Sequence, residues 1–174
     1  MTRWLGVISC LLATSCNDMF AKDDGRAFGD DLGRFAVGAR LKSTTCGAQA
    51  LDTPADWNFD VVLSRDYDLL YWNTGKDAVE GTIEADGRTF SFSSETVVDF
   101  DMSGNPRACS VVRTDSASGT FDDDKSMRAF EGSLSYSFAP KAGTDCSDLV
   151  AGASFDELPC AMSYRMAAAW VSER

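Results

Sequence analysis

The sequence predicts an all-β domain, an antiparallel meander of about eight strands closed or partly closed into an up-and-down barrel. A β-sandwich is the alternative. Three observations carry this. Apolar residues recur at every second position through most of the chain from Phe35 to Met166, which is the period of a half-buried strand. The runs are separated mostly by short turn-forming clusters such as Asp86-Gly87 and Ser103-Gly104-Asn105-Pro106. No segment before the C-terminal tail carries an apolar stripe at helical spacing, and no Gly-rich phosphate loop or fixed-period repeat is present. Barrel and sandwich need the same alternation, so the choice between them stays open at this level.

Residues 1–15 have the layout of a secretory signal: Arg3 in a short n-region, an apolar run from Trp4 to Ala13, then small residues. Ala13-Thr14-Ser15-Cys16 resembles the lipobox of bacterial lipoproteins, where the cysteine is lipidated and becomes the mature N-terminus. Cys10, after Val7-Ile8-Ser9, fits the box letters better but would leave too short an apolar segment, which favours Cys16. The resemblance implies lipidation at Cys16 and a tether to a membrane of the bacterial cell envelope, facing the periplasm or the exterior. Plain secretion, with cleavage near Ala21, is the alternative. The apolar run is well short of the ~20 residues a membrane-spanning helix needs. Residues 16–31, rich in Asp and Gly, read as lipid anchor and flexible tether. Residues 32–174 read as a single β-domain.

Within that domain the elements follow in order. Phe35, Val37, Ala39 and Leu41 alternate with Arg34, Ala36, Gly38, Arg40 and Lys42, giving one apolar and one basic face. Trp57, Phe59, Val61 and Leu63 form the second inward set, ended by a corner at Arg65-Asp66. The third run is apolar on both sides; its inward set is Tyr67, Leu69 and Tyr71, or else Leu70 and Trp72. Val79, Gly81 and Ile83, then Phe90 and Phe92, flank Asp86-Gly87 as a hairpin. Phe90 to Phe100 continues as one long strand, with a bulge expected at Ser93-Ser94. Cys109 and Val111 open the sixth strand, and Ser116 to Ser126 reads as a polar stretch. Phe130, Gly132, Leu134, Tyr136 and Phe138 give the cleanest alternation. Cys160, Met162, Tyr164 and Met166 begin the last strand; the tail after it reads as strand or short helix.

Composition narrows the function. The formal net charge is −11 and histidine is absent. An acidic surface argues against nucleic acid and against electrostatic docking on anionic lipid. Lack of histidine removes the usual general base and the commonest metal ligand. With 27 acidic residues no spacing singles out a catalytic pair, so a non-enzymatic domain without cofactors is expected. Past the signal, Cys46, Cys109, Cys146 and Cys160 form an even set in an exported chain, which favours disulfides. Alternating strand directions place all four at one end of the meander. Cys146–Cys160 closes a short loop, and elimination then pairs Cys46 with Cys109.

Two kinds of site can be drawn from the residues. Asp99, Asp101 and Ser103, with Gly104, match the first half of an EF-hand calcium loop, but Ser110 stands where the bidentate Glu belongs. An acidic β-turn is the plainer reading, and Asp122-Asp123-Asp124 likewise reads as a solvated run. Trp57, Phe59, Tyr71, Trp72, Phe90, Phe92 and Tyr136 lie at strand period: core packing, or the lining of a barrel cavity. Gly33-Arg34-Phe35 resembles the Gly-x-Trp opening of lipocalins, with Phe for Trp, and Arg165 falls where that family places an arginine over the Trp. The resemblance implies an up-and-down barrel with a ligand cup. Two functional expectations follow. One is an envelope lipoprotein whose β-domain is an interaction or structural module for a protein partner. The alternative is a lipocalin-like carrier of a small apolar ligand, and a void of a few hundred cubic ångströms inside the sheet would favour it.

Overall fold

In the computed structural model, the described residues are 29–47, 50, 55–73, 78–100 and 109–172. They form β1 (Asp30–Thr44), β2 (Asp56–Asp66), β3 (Leu69–Asn73), β4 (Ala78–Ile83), β5 (Thr89–Phe100), β6 (Cys109–Phe121), β7 (Ala129–Pro140), α1 (Ser147–Ala151) and β8 (Cys160–Ser172). Each strand pairs antiparallel with the next, and β1 pairs with β8, so the eight strands close as a barrel in chain order. The unbroken ring leaves no second sheet, which decides against the sandwich. Alternation produces this directly: Phe35, Val37 and Ala39 on β1, and Met162, Tyr164, Met166 and Ala168 on β8, are buried while their neighbours face out.

Several boundaries differ from the sequence expectation. β1 starts at Asp30, inside the expected tether. The β2–β3 turn is Tyr67-Asp68, two residues later than Arg65-Asp66, because the ladder continues through Arg65↔Leu70 and Asp66↔Leu69. Tyr67 occupies the turn at φ 57 and is 88% exposed. Leu70 and Trp72 are therefore the inward pair of β3. No register shift occurs along β5 and β6, so the bulge at Ser93-Ser94 is absent from that ladder. β6 runs on through the polar stretch to Phe121, and the tail is strand as far as Ser172.

One end of the barrel is packed solid. Phe35, Phe90, Phe121 and Phe130 meet with ring centroids 5.1–6.4 Å apart, two of the pairs edge to face. Gly119 and Gly132 pair across β6 and β7 beneath these rings. A Cβ at Gly119 would strike the Phe90 ring, so the missing side chain is what admits it. The tight turns lie at this end. Asp86 organises one of them by accepting from the Arg88 and Thr89 amides at 2.8 Å and from the Thr89 hydroxyl at 2.6 Å. Asp123 does the same for the β6–β7 connection, accepting from the Lys125 and Ser126 amides. These backbone donors hold the Asp123 carboxyl below its ordinary range.

The opposite end carries the long connections and all four cysteines, as the alternating directions imply. The pairing is Cys46–Cys160 and Cys109–Cys146, which corrects the expected Cys146–Cys160 and Cys46–Cys109. Closure is the reason. β1 and β8 are neighbours, with Thr44 opposite Met162, so the end of β1 meets the start of β8. Cys109 begins β6 beside the end of β7, and the chain leaving β7 brings Cys146 back onto it. The connection from Lys141 then lays Leu149 of α1 and Phe155 against this half of the end, with Phe155 5.4 Å from Phe138.

Outward positions are polar. Arg34–Asp60 (2.7 Å), Arg40–Asp56 (2.9 Å) and Arg165–Glu131 (3.2 Å) are exposed pairs between neighbouring strands, each worth little in stability. Charges at these positions, and at Glu95, suit a water-facing wall, since such groups are costly on a lipid-facing one. Among the described residues no helix is long and apolar enough to cross a membrane.

Two predictions follow from the fold. Peptide mapping without reduction recovers Cys46–Cys160 and Cys109–Cys146. From separations of 114 and 37 residues, chain restriction assigns them about 5 and about 4 kcal/mol; removing the first pair should therefore lower the unfolding free energy by about 1 kcal/mol more. Hydrogen bonds from Thr89 and Arg88 lower the Asp86 carboxyl from 3.8 to about 2. A depressed carboxyl stabilises the fold above its unfolded value and loses that effect as pH falls through the folded one. Urea midpoints should fall between pH 4 and pH 2, and less steeply in Asp86→Asn.

Candidate ligand-binding cavity

Above the phenylalanine floor the interior does not fill. A half-open cavity of about 380 Å3 is lined by residues of six strands, β2 to β7, the exposed Asp60 among them. Trp57 and Phe59 come from β2, Trp72 from β3, Phe92 from β5, and Leu134 and Tyr136 from β7. Their rings form a continuous wall: Trp57–Phe59 at 4.6 Å, Phe59–Trp72 at 6.3 Å and Trp72–Phe92 at 5.3 Å. Phe92 joins this wall to the floor through Phe90 at 5.7 Å.

The barrel is loosest beside the cavity. β4 and β5 pair at Gly81↔Phe92, Thr82↔Ser91 and Ile83↔Phe90. No further pair between these strands forms among the described residues, and the next inward residues, Val79 and Ser94, both line the cavity. Gly81 has a definite role at this point: a Cβ there would collide with the Phe92 ring and the Ser91 carbonyl. Ala117, opposite Phe92 and Leu134, leaves the space that a larger side chain would take.

Into this aromatic space β6 turns two charges. Arg113 and Asp115 are two residues apart and so share the inward face with Val111 and Ala117. They form a bidentate pair, with Nε donating to Oδ1 at 2.6 Å and Nη2 to Oδ2 at 2.7 Å. About a third of each side chain stays exposed (33% and 32%), so the pair is neither sealed nor free in solvent. The guanidinium carbon lies 5.1 Å from the centre of the Tyr136 ring, a cation–π contact. Burial, reinforced by the Asp115 charge and opposed by Arg113, pushes the Tyr136 phenol above its usual range, so it stays a neutral donor.

Of the residues expected to line a cavity, Trp57, Phe59, Trp72, Phe92 and Tyr136 do so. Phe90 does not; it belongs to the floor beneath. Tyr71 does not either, because it sits on the opposite face of β3 from Leu70 and Trp72, across from Ser64 and Glu80. Arg113 and Asp115 are missing from the sequence reading. Continuing the Cys109-Val111 alternation would have reached them, but a charge at an inward position looks like a solvated loop. Arg165 faces outward to Glu131 rather than covering Phe35. An arginine does stack on a tryptophan at the packed end, but it is Arg128 on Trp170, at 3.8 Å.

The calcium half-motif gains no support here. Asp99 is exposed and accepts the Ser110 hydroxyl at 2.6 Å; Asp101 and Ser103 lie outside the described residues, as does Cys16. Among the described residues no group of three or more acidic or cysteine side chains is placed to hold a metal ion. A shallower external concavity of about 490 Å3 lies beside α1, lined by Pro140, Gly143, Thr144, Ser147, Val150 and Leu158 among others. It has no aromatic lining, so the chemistry of recognition points to the barrel interior instead. Comparison with known proteins finds no family model, curated protein or solved structure that matches the chain.

Gly81→Ala tests the wall directly. The new methyl must displace Phe92 or part the β4–β5 ladder, and overpacking of this kind costs about 1–3 kcal/mol. Urea denaturation should show that loss.

Proposed function

We propose that the chain is an exported, lipid-tethered carrier that holds one small apolar ligand inside its barrel. The cavity carries this reading. Its volume of about 380 Å3 falls at the small end of the ~300–1,000 Å3 usual for ligand pockets. Its lining combines five aromatic and three aliphatic residues with five polar ones, a largely apolar wall with polar groups that can orient a ligand. A domain built only as a scaffold has no use for a hollow beside so many rings, since filling it would add stability.

Export is supported by the four cysteines, all of which are disulfide-bonded in an otherwise small barrel. Lipidation at Cys16 remains the proposal that the lipobox resemblance makes. The tether would hold the carrier at a membrane of the cell envelope, where apolar molecules concentrate, while the polar barrel wall stays in water. A second reading, an interaction module presenting its disulfide-bonded loops to a protein partner, is favoured by the concavity beside α1 and the exposed Val150.

Two experiments address the two halves. Titration with an apolar fluorescent probe should quench the tryptophan emission saturably, and Ala117→Leu, which fills the cavity from β6, should weaken binding at least tenfold while the thermal midpoint stays close to wild type. Binding unaffected by Ala117→Leu would move the ligand elsewhere. Separately, a palmitate analogue should label the wild-type chain and not Cys16→Ala, and the variant should leave the membrane fraction.

A further inference from the structure

We infer that the cavity selects a neutral, flat apolar molecule bearing a carbonyl oxygen, and that Arg113 and Tyr136 donate to that oxygen. This rests on the carrier reading and adds the chemical class of the ligand.

The donors are unevenly used. A guanidinium has five N–H groups. Asp115 takes the one on Nε and one on Nη2. Among the described residues nothing accepts from Nη1 or from the Tyr136 hydroxyl, and no buried side-chain polar atom is left unsatisfied, so both donors are reached by solvent through the cavity. Both residues line the cavity, with the guanidinium over the Tyr136 ring. The wall therefore presents spare donors, while its two carboxylates are already engaged, Asp115 by Arg113 and Asp60 by Arg34. An acceptor on the ligand is the complement, because a bound molecule without one would cut these donors off from solvent and leave them unpaired.

Charge then narrows the acceptor. Asp115 neutralises Arg113, so the pair offers no net positive charge. A carboxylate ligand would set a second anion against Asp115, in a chain of net charge −11. A cationic ligand would face the guanidinium. A neutral carbonyl meets neither penalty and still accepts a charge-assisted hydrogen bond. The ring wall of Trp57, Phe59, Trp72 and Phe92 suits a flat body that can stack or lie edge to face.

Three matched probes test this by equilibrium dialysis against the oxidised protein: fluorene, 9-fluorenone and fluorene-9-carboxylate. The expected order is fluorenone tightest, by about ten- to hundredfold over fluorene, with the carboxylate weakest. The double variant Arg113→Met/Asp115→Leu removes both charges together and leaves neither one orphaned. There fluorenone should lose most of its advantage over fluorene and keep only the several-fold share that Tyr136 supplies, with fluorene itself unchanged. Tyr136→Phe should cost fluorenone several-fold and fluorene nothing. Circular dichroism checks that each variant is folded; if the double variant is not, the wild-type ranking and Tyr136→Phe decide. Fluorenone binding no tighter than fluorene, or the carboxylate binding tightest, overturns the inference and leaves the carrier standing. Failure of fluorene and fluorenone alike to bind the wild type overturns both.

Discussion

From Arg34 opposite Ser172 to Thr44 opposite Met162, the first and last strands share one ladder. Backbone hydrogen bonds there satisfy two strands that would otherwise be sheet edges. Once they are joined, the ends of β1 and β8 are neighbours, which fixes Cys46 against Cys160 and leaves Cys109 for Cys146. Closure also sets how much the interior can hold, because a ring of eight strands is just wide enough for side chains to fill or for one small ligand. The two ends of this barrel take the two options. Four phenylalanines fill one end, admitted by the Gly119–Gly132 pair. Trp72 and Phe92 mark the level at which filling stops.

The polar groups follow the same division. At the packed end, acidic side chains are spent on turns, as Asp86 and Asp123 show, and they face water. In the hollow half, Arg113 and Asp115 face inward. Sequence separation of two puts them on one face, and their mutual pairing makes that burial tolerable. Replacing such a pair with apolar residues is often neutral or stabilising, so its presence beside open space is more economically explained by recognition than by stability. Tyr136 belongs to both sets: its ring packs at 6.3 Å from Tyr164 while its hydroxyl remains unused among the described residues.

Much of this was legible in the residues. Alternation identified the strands and their inward faces, and Asp86-Gly87 located the central hairpin, because burying one face of a sheet imposes a strict period of two. What escaped detection shares a cause. Tyr67 at a turn with positive φ, Tyr71 buried on the outer face of β3, and charged Arg113 and Asp115 facing inward all break the equation of apolar with inside. The cysteine pairing escaped for another reason. It depends on β1 touching β8, and strand order along the chain does not say whether the sheet closes. Gly81 gave no warning either, since an alternating glycine looks like any small inward residue until the ring it makes room for is in view.

The account stands on a barrel that is solid at its turn end and hollow above it. Methyl-labelled protein saturated with naphthalene would test this by intermolecular nuclear Overhauser effects. Contacts should appear at Val79, Ala117 and Leu134, which line the cavity. They should be absent from Leu63 and Leu70, buried outside it, and from Val150 and Val171 on the outer surface. Contacts confined to Val150 or Val171, or none at Ala117 and Leu134, would contradict the account.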